Sequence, residues 1–564
     1  MVSAARIGQS TQLRLSFLLS SSFFVFDCRL VNSPFGVEWL FIGGNRIARI
    51  TSRFRLTNRP SRKGRPSRHL LIPINTANPH LLQYSYVSRK PLPQEMSVEV
   101  MRTERYGKNA VTVFSDQRES VTFAREIAET KSAQGDSEPF FVMSLARVRD
   151  RVREWKLALP RVSPHYALKC NDDPVLLRLL AQSEDFGFDC ASKEQLEAAL
   201  EIVGSERIVY SNPVLTRNVL RHALKADTST IFFESESELS RISANHPDAN
   251  LILRICVRRP HSLDDTCDFN ASMGCDPFDE APALLESAYL LGARVVGIAF
   301  NLGAGNSSDP RDFAIGIEIA RKLFATAQSF GHAMSILSIG GGFPACYSPC
   351  PSKPSFAQIA NLINDSLDEV FPVHEFPNLR IIAQPGRFFA SAAFTLITNV
   401  IGKRVVDASA VSDDQFYTES QRGFVYQTNE GFYGAFGCRL AAACEPQSKP
   451  LFEDVDSDDD EGYYASVIGP TLDKFDMIEQ SCRYRELSVG DWLAWPQMGA
   501  YSMGNRGTLG DLDQPQPAVY YFAGHKDWER ISSPDNMDFT ADIEEDGDSL
   551  CSSDSAIESD YNFL

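Results

Sequence analysis

The chain has 564 residues and a mass of 62.7 kDa, and 43% of its residues are hydrophobic, which is enough to fill two domain cores. The formal net charge of −18 is uneven, because residues 1–95 hold 14 Lys and Arg against 3 Asp and Glu, so the remainder carries −29. An acidic body of this size excludes nucleic acid as the expected partner. Twelve cysteines without close regular spacing argue against a secreted disulfide framework and favour a reducing, cytoplasmic location. Cys346 and Cys350 could form half of a metal site, but no second Cys or His pair stands near them, so no metal is predicted.

Residues 1–95 are predicted to be a disordered basic leader. Residues 15–26 form an apolar run that crudely imitates a signal peptide, but this run is too short to cross a bilayer, and no membrane partner is expected. Residues 46–68 are basic, contain proline and lack periodicity, which is typical of disorder. The folded protein is therefore expected to begin at Met96, and a targeting peptide is the alternative interpretation of the leader.

Residues 139–385 alternate short strand-like runs with helix-like segments. The runs are rich in β-branched and aromatic residues and follow one another at intervals of roughly 20 to 45 residues. They are FFVMSL, HYALKC, FGFDC, RIVYS, TIFFES, LILRICV, VVGIAFNLG, ILSIGGG and LRIIAQP. Repeated βα units of this kind predict an α/β fold with a (β/α)8 barrel, and an open doubly wound sheet is the structural alternative.

Residues 386–525 change to strand-rich segments joined by polar or acidic loops, which predicts a C-terminal antiparallel β domain. Residues 96–138 are expected to supply lead-in strands to the same domain. Residues 526–564 are predicted to be a disordered acidic tail, because residues 531–564 hold ten acidic residues and no Lys or Arg.

Lys169 ends the apolar run HYALKC, at the position where a barrel strand presents its functional groups. Burial and neighbouring cations can lower the pKa of such an amine enough to make it nucleophilic, and pyridoxal phosphate needs an amine of this kind as its anchor. Taken alone, a lysine at a strand end is more often a surface residue.

Glycine clusters follow three successive strand-like runs. Gly303 and Gly305 follow the first, Gly340–Gly342 follow the second, and QPGRFF, which contains Arg387, follows the third. Glycine lets the backbone approach an anion closely, and late strand ends are where a barrel usually binds phosphate. One such cluster could be a tight turn, but three together predict a phosphate site.

Seven motifs occur in the order in which eukaryotic ornithine decarboxylases carry them, and the match as a whole covers roughly residues 105 to 523. They are PHYALKCN, FGFDCAS, RIVYSNP, SIGGGFP, QPGRFF, GDWL and MGAY. On these motifs the chain is identified as a member of that family, whose fold is a pyridoxal 5'-phosphate barrel with a second β domain. The resemblance implies a head-to-tail dimer, formed with a second copy or with an active ornithine decarboxylase, in which each active site borrows residues from the partner.

The resemblance also implies roles for residues that this chain retains. Lys169 would form a Schiff base with the cofactor, and Asp189 would be a nearby carboxylate of the cofactor pocket. Asp473 would be the second catalytic residue, an acid that reaches the substrate of the other subunit. The remaining cofactor-binding positions are Asn301, Gly303, Gly340, Gly341, Gly342, Gln384, Gly386, Arg387 and Tyr501.

Several cofactor-side residues depart from the family pattern. The family's EPGR is QPGR here, so the neutral Gln384 replaces the glutamate that pairs with the ring nitrogen and should weaken the electron sink. The family's FHVGSG is FNLGAG here, so Asn301 replaces a stacking histidine and Ala304 replaces a serine that contacts phosphate. Each loss is worth about 1 kcal/mol.

Three substrate-side positions also differ. The family's PTCDG is PTLDK here, which places Leu472 where a partner-supplied cysteine transfers a proton. Alignment from Cys438 places Ala442 where the family has the carboxylate that binds the distal amine of ornithine. Asp268 occupies the position of a family arginine.

These substitutions predict a protein of polyamine metabolism whose decarboxylase activity is impaired. The first hypothesis is a regulator that resembles the antizyme inhibitors, which occupy antizyme and spare active ornithine decarboxylase from degradation. The alternative is an active pyridoxal-phosphate enzyme that converts ornithine, or a related amino acid, to putrescine or another amine and CO2. A third hypothesis is a heterodimer partner that lends Asp473 to an active family member.

Overall fold

The computed structural model describes four strands within residues 12–51 and, beyond them, residues 102–257, 273–302, 309–345, 354–412, 421–441, 446–452, 462–471, 473–503 and 516–532. The chain forms two compact units, Met1–Glu95 and Met96–Leu564. No helix in this described part of the chain is long and apolar enough to cross a membrane.

The first unit contains a four-stranded antiparallel sheet. Its strands, in spatial and chain order, are β1 (Gln12–Leu19), β2 (Ser22–Ser33), β3 (Gly36–Gly43) and β4 (Arg46–Thr51). This differs from the disorder predicted for the leader. The strands are rich in Phe, Val, Ile and Leu, which favour extended backbone, and the apolar run that imitates a signal peptide lies within the β1–β2 hairpin.

The second unit begins with a hairpin and two helices that precede the barrel. The elements are β5 (Arg102–Tyr106), β6 (Asn109–Phe114), α1 (Ser120–Gln134), β7 (Phe140–Ser144) and α2 (Leu145–Ala158). Gly107 has a φ of +61° and closes the β5–β6 turn, a conformation that glycine adopts without strain.

Eight parallel strands then close into a barrel in chain order, and the last strand pairs with the first. The strands are β8 (Val162–Ala167), β9 (Gly187–Cys190), β10 (Ile208–Tyr210), β11 (Thr230–Phe233), β12 (Asn250–Ile255), β13 (Arg294–Phe300), β14 (Ile336–Ser338) and β15 (Arg380–Ala383). The helices between them are α3 (Pro174–Ala181), α4 (Lys193–Leu200), α5 (Arg217–Lys225), α6 (Glu236–Asn245), α7 (Glu280–Leu290), α8 (Arg311–Phe330) and α9 (Phe356–Val370). The predicted (β/α)8 barrel is confirmed.

The barrel interior is filled by a cluster of buried apolar side chains that come from strands alone. Its members are Val209, Phe232, Ile252, Val296, Ala299, Ile336 and Ile382. The outward-facing strand residues pack with the helices in a much larger core. The barrel is therefore a solid scaffold, and functional groups are confined to its rim.

The remaining elements are α10 (Arg387–Ala390), β16 (Phe394–Asp407), β17 (Arg422–Thr428), β18 (Lys449–Pro450), β19 (Tyr463–Ile468), β20 (Met477–Tyr484), β21 (Trp492–Trp495), β22 (Ala518–Gly524) and α11 (His525–Ser532). The second sheet belongs to the β domain and runs in the order β20-β19-β17-β16-β7-β22-β6-β5. In addition, β21 pairs with β16, and β18 pairs with β21. The sheet is mixed, because β17 pairs with β19 and β22 pairs with β6 and β7 in parallel.

Two predicted boundaries need correction. The apolar pattern of β7 predicts a barrel strand, but β7 lies between β16 and β22 in the second sheet. All five residues of β7 are buried, so its sequence is apolar throughout and cannot be told from that of a barrel strand. The predicted acidic tail begins at residue 526, but α11 is a helix that buries Trp528 and Ile531.

Candidate active site

Lys169 lies just beyond the carboxyl end of β8, within the short 3-10 turn Leu168–Cys170. Leu168 and Cys170 are each 1% exposed, whereas the Lys169 side chain between them is exposed. The Ala167 N–H donates to the Pro385 carbonyl over 3.0 Å, which joins this turn to the loop after β15. The structure therefore presents the amine at the barrel rim, as the sequence predicts.

Asp189 on β9 is the buried carboxylate beside this amine. It is 3% exposed, and its Oδ1 atom has no hydrogen-bond partner. Burial raises the pKa of the Asp189 carboxyl, while the Lys169 ammonium, the Ser211 hydroxyl, the Arg254 guanidinium and the Gln384 amide act to lower it. Three predicted residues, Lys169, Asp189 and Gln384, are thus brought together, although they come from different βα units.

This rim is completed by Ser211, Glu234 and Arg254, which are not among the site residues predicted from the sequence. Arg254 on β12 is 7% exposed, and its Nη1 atom lies 3.6 Å from Oε2 of Glu234. Its guanidinium carbon also lies 5.2 Å from the centre of the Phe232 ring. The signal was present in the sequence, because an arginine inside the apolar run LILRICV must find a charged partner when it is buried.

A backbone cradle lies beside these side chains, at the ends of β13, β14 and β15. Gly340 has a φ of +70°, and a Cβ atom there would lie 2.2 Å from the Phe300 carbonyl oxygen. A Cβ atom on Gly341 would lie 2.9 Å from the Gln384 carbonyl oxygen. The Gln384 N–H donates to the Gly340 carbonyl over 2.7 Å, and the Gly341 N–H donates to Asn301 Oδ1 over 3.3 Å. Only glycine fits this close approach of three loops.

Gly342 also has positive φ, at +103°, so the backbone turns sharply through the whole motif. Such turns expose successive N–H groups to an anion. Gly303, Ala304 and Gly305 of the preceding loop, Asp268, and the thiols Cys346 and Cys350 lie outside the described residues. Within the described ranges, no group of three or more His, Cys, Asp or Glu side chains could hold a metal ion.

Arg387 and Tyr501 bring a cation and a phenol to the same rim. Arg387 begins α10 directly after Gly386, is 8% exposed, and lies 5.9 Å from the centre of the Tyr501 ring. The Tyr501 N–H donates to the Cys170 carbonyl over 2.8 Å, so the β domain is attached to the Lys169 turn. Burial raises the pKa of the Tyr501 phenol, which keeps it a neutral hydrogen-bond donor. Gly386 is needed because a Cβ atom there would lie 2.8 Å from Cys170 Cβ.

Asp473 lies elsewhere, in the exposed turn between β19 and β20. Its Oδ1 atom accepts the Phe475 N–H over 2.8 Å. No contact described for this single chain joins Asp473 to Lys169, Asp189 or Arg387. Leu472 and Ala442, the two substituted substrate-side positions, lie outside the described residues.

Comparisons with known proteins agree with this geometry. Residues 145–391 match the family model of the pyridoxal-dependent decarboxylase, pyridoxal binding domain. The chain is 40% identical over 412 residues to an ornithine decarboxylase of Panagrellus redivivus, covering 73% of this chain and 92% of that protein. It is 36% identical over 407 residues to antizyme inhibitor 2 of Xenopus laevis, covering 72% and 86%. The arginine decarboxylase of Paramecium bursaria Chlorella virus, bound to agmatine, has a TM-score of 0.61 at 31% identity, covering 71% of this chain and 100% of that one.

The rim residues fit pyridoxal phosphate, the cofactor of these decarboxylases. An exposed amine suits its aldehyde, the glycine cradle and Arg387 suit its phosphate, and the carboxylate oxygen of Asp189 that lacks a partner suits a positively charged ring. Fold, cofactor site and relatives therefore agree, and the chain belongs to the eukaryotic ornithine decarboxylase family.

Proposed function

We propose that this protein holds pyridoxal phosphate, has lost most turnover of ornithine, and acts in polyamine metabolism as a regulator that binds antizyme. The observation that carries the proposal is the division of the site into two unequal halves. The cofactor half keeps Lys169, Asp189, the glycine cradle and Arg387. The substrate half has Leu472 and Ala442 in place of reactive side chains.

The cofactor half positions one molecule through several independent contacts. Pyridoxal phosphate, when bound, supplies the electron sink for loss of CO2. Lys169 is the amine that would hold it covalently, and Arg387 with the N–H groups of Gly340 and Gly342 would hold its phosphate. Tyr501 closes the phosphate side, since its main chain is fixed to Cys170.

The substrate half lacks the groups that ornithine needs. Leu472 has no proton to give, so the carbon that loses CO2 has no side-chain acid at this position. Ala442 has no carboxylate, and a buried ammonium group without a partner costs several kcal/mol. Asp473 remains and is exposed in its own chain, which supports a role for it at the barrel of a second subunit.

The barrel surface offers a basic face for a protein partner. Arg217, Arg221 and Lys225 recur every fourth residue on α5, so they share one helix face, and all three are exposed. None of them forms an ion pair within the described residues. This row stands out on a body that carries a charge of −29 and would attract an acidic surface.

The test is titration of purified antizyme into the full chain by calorimetry, alongside CO2 release from labelled ornithine. We expect saturable binding and no turnover above that of the Lys169→Ala variant. Reversal of the three α5 charges to Glu should weaken binding at least about tenfold. The matched control reverses Lys193, Lys322 and Lys526, which are exposed on other helices. Absence of binding, or turnover at the rate of active relatives, contradicts the proposal.

The second candidate is an active decarboxylase with a different substrate, and the assembled cofactor half favours it. Loss of the distal carboxylate at residue 442 would favour an amino acid without a distal ammonium group. CO2 release from a panel of amino acids, abolished by Lys169→Ala, would establish this activity. No release from any of them would exclude it.

A further inference from the structure

We propose that Asn171 is a positioning residue of the cofactor site, whose side chain holds the turn that carries Lys169 in register with the turn that carries Tyr501. Lys169 follows the barrel strand β8, whereas Tyr501 lies between β21 and β22 of the β domain. The two sides of the site therefore come from different domains and need a fixed connection. The proposal rests on the cofactor binding proposed above.

The Asn171 side chain is 2% exposed, and both of its polar ends are used. Its Nδ2 atom donates to the Gly499 carbonyl over 2.8 Å, and its Oδ1 atom accepts the Asp173 N–H over 2.9 Å. The Asn171 carbonyl accepts the Tyr166 hydroxyl over 2.9 Å. A buried amide with both ends bonded has one favourable orientation, so Asn171 ties the residues next to Lys169 to the β domain.

The β-domain side of this contact is the tight turn of residues 497–501, called here the Tyr501 turn. Gln497 and Tyr501 have φ values of +58° and +59°, a left-handed backbone that residues with a side chain rarely adopt. Two hydrogen bonds attach this turn to the barrel, because the Tyr501 N–H donates to the Cys170 carbonyl and Asn171 bonds the same turn two residues earlier. Such a backbone persists only where its surroundings hold it, and Asn171 supplies part of that support.

The opposite side of the Tyr501 turn packs against α10, the helix that begins at Arg387. A Cβ atom on Gly499 would lie 1.9 Å from the Ala390 carbonyl oxygen, so the two backbones are in direct contact. The Arg387 guanidinium carbon lies 5.9 Å from the centre of the Tyr501 ring. The turn thus lies between the amine side and the phosphate side of the site, and its position sets where the Tyr501 phenol lies.

Loss of the Asn171 amide would leave the Tyr501 turn with one of its two hydrogen bonds to the barrel. Groups that bind a ligand contribute fully only when they are held within about 0.5 Å of the productive position. The cofactor should then lose the contribution of the Tyr501 phenol, although Tyr501 itself is unchanged.

The test is a double-mutant cycle on the full chain, with affinity for pyridoxal phosphate measured by absorbance titration and the melting temperature measured without cofactor. Asn171→Ser keeps a hydroxyl that can accept the Asp173 N–H but is too short to reach Gly499, and it should bind the cofactor about tenfold more weakly. Tyr501→Phe should also weaken binding. The double variant should bind within about twofold of the weaker single variant, because Asn171 acts through Tyr501.

Asn171→Asp is the second variant, since near neutral pH it keeps the size of the side chain and loses only the donor, and it should match Asn171→Ser. Gln182→Ala is the matched control. Gln182, at the other end of α3, donates its side-chain amide to the Ile531 carbonyl of α11 over 2.8 Å, which is the same kind of bond at a distance from Lys169. Gln182→Ala should lower the melting temperature and leave cofactor affinity within about twofold of the native value.

Three results would overturn the proposal: additive losses in the double variant, native affinity in the Asn171 variants, or an equal loss of affinity in Gln182→Ala. A native chain that takes up no cofactor overturns it together with its premise. Neither antizyme binding nor ornithine turnover enters these measurements, so failure of the regulatory function would be recognised separately.

Discussion

The Lys169 side chain is exposed, whereas Leu168 and Cys170, the other two residues of its turn, are buried. Lys169→Ala should abolish the long-wavelength absorbance that pyridoxal phosphate shows when it is joined to a lysine, because no other amine is described at this rim. Lys193→Ala, which removes an exposed lysine on α4, is the control and should leave the spectrum unchanged. Persistence of the band in Lys169→Ala would show that another residue anchors the cofactor.

His165 on β8 makes the stability of the barrel depend on pH. Burial, with positive charge from Arg380 and Arg207, lowers the pKa of His165 from 6.5 to about 4. Between these values the unfolded chain binds a proton that the folded chain does not. The free energy of unfolding should therefore fall by roughly 3 kcal/mol as the pH drops from about 6.5 to about 4.

Urea unfolding at several pH values in this window tests that slope. His165→Gln should remove most of it. His374→Gln is the matched control, since the His374 side chain is 79% exposed, and it should keep the native slope. An unchanged slope in His165→Gln would assign the acid sensitivity to other groups.

The residues of the site that could be predicted are those that follow a strand directly. Lys169, Gly340 and Arg387 stand after apolar runs, where sequence position alone places them at the rim. The sequence did not identify Arg254 and Glu234, because their contact depends on the parallel pairing of β11 with β12, which brings the two strand ends side by side. Asp473 was identified by resemblance, but the fold of one chain leaves it apart from Lys169.

The loop after β14 needs a glycine at position 340, because the backbone of β13 lies directly beside it. Gly340→Ala should lower the melting temperature and weaken cofactor binding at least tenfold, because its Cβ atom would lie 2.2 Å from a carbonyl oxygen. Gly135→Ala, at the end of α1, is the control. Its φ of +72° imposes the same backbone strain, about 1 kcal/mol, but nothing lies within 4 Å of the new Cβ atom. Equal losses in both variants would mean that strain, not close approach, is what matters at Gly340.

The elements themselves were predicted well where the chain repeats. Eight of the nine apolar runs are barrel strands, since βα repeats with room for a helix allow few other arrangements. Phe140–Ser144 could not be separated from them by pattern, because a strand covered on both faces is apolar throughout in either sheet. The acidic composition of the C-terminal residues led to a prediction of disorder where the structure has α11. The spacing of Trp528 and Ile531, three residues apart, is the sequence signal of its buried face.

Helix α11, the last described segment of the chain, packs against both the β domain and the barrel. Trp528 packs edge-on against Tyr106 with ring centres 6.3 Å apart, and the Ile531 carbonyl accepts the Gln182 side chain over 2.8 Å. Trp528→Ala should cost about 3 to 5 kcal/mol in the free energy of unfolding. Glu529→Ala, on the exposed face of the same helix, should cost less than about 1 kcal/mol. Similar losses for the two would show that α11 does not carry this packing.

The strand order of the second sheet also constrains how the protein is made. β6 and β7 do not pair with each other; both pair with β22, which begins at Ala518. On the ribosome, the barrel strands within residues 162–383 emerge long before β22 exists. A nascent chain released before residue 518 would therefore carry a closed barrel and two strand edges without a partner, and such edges are what chaperones and proteases act on.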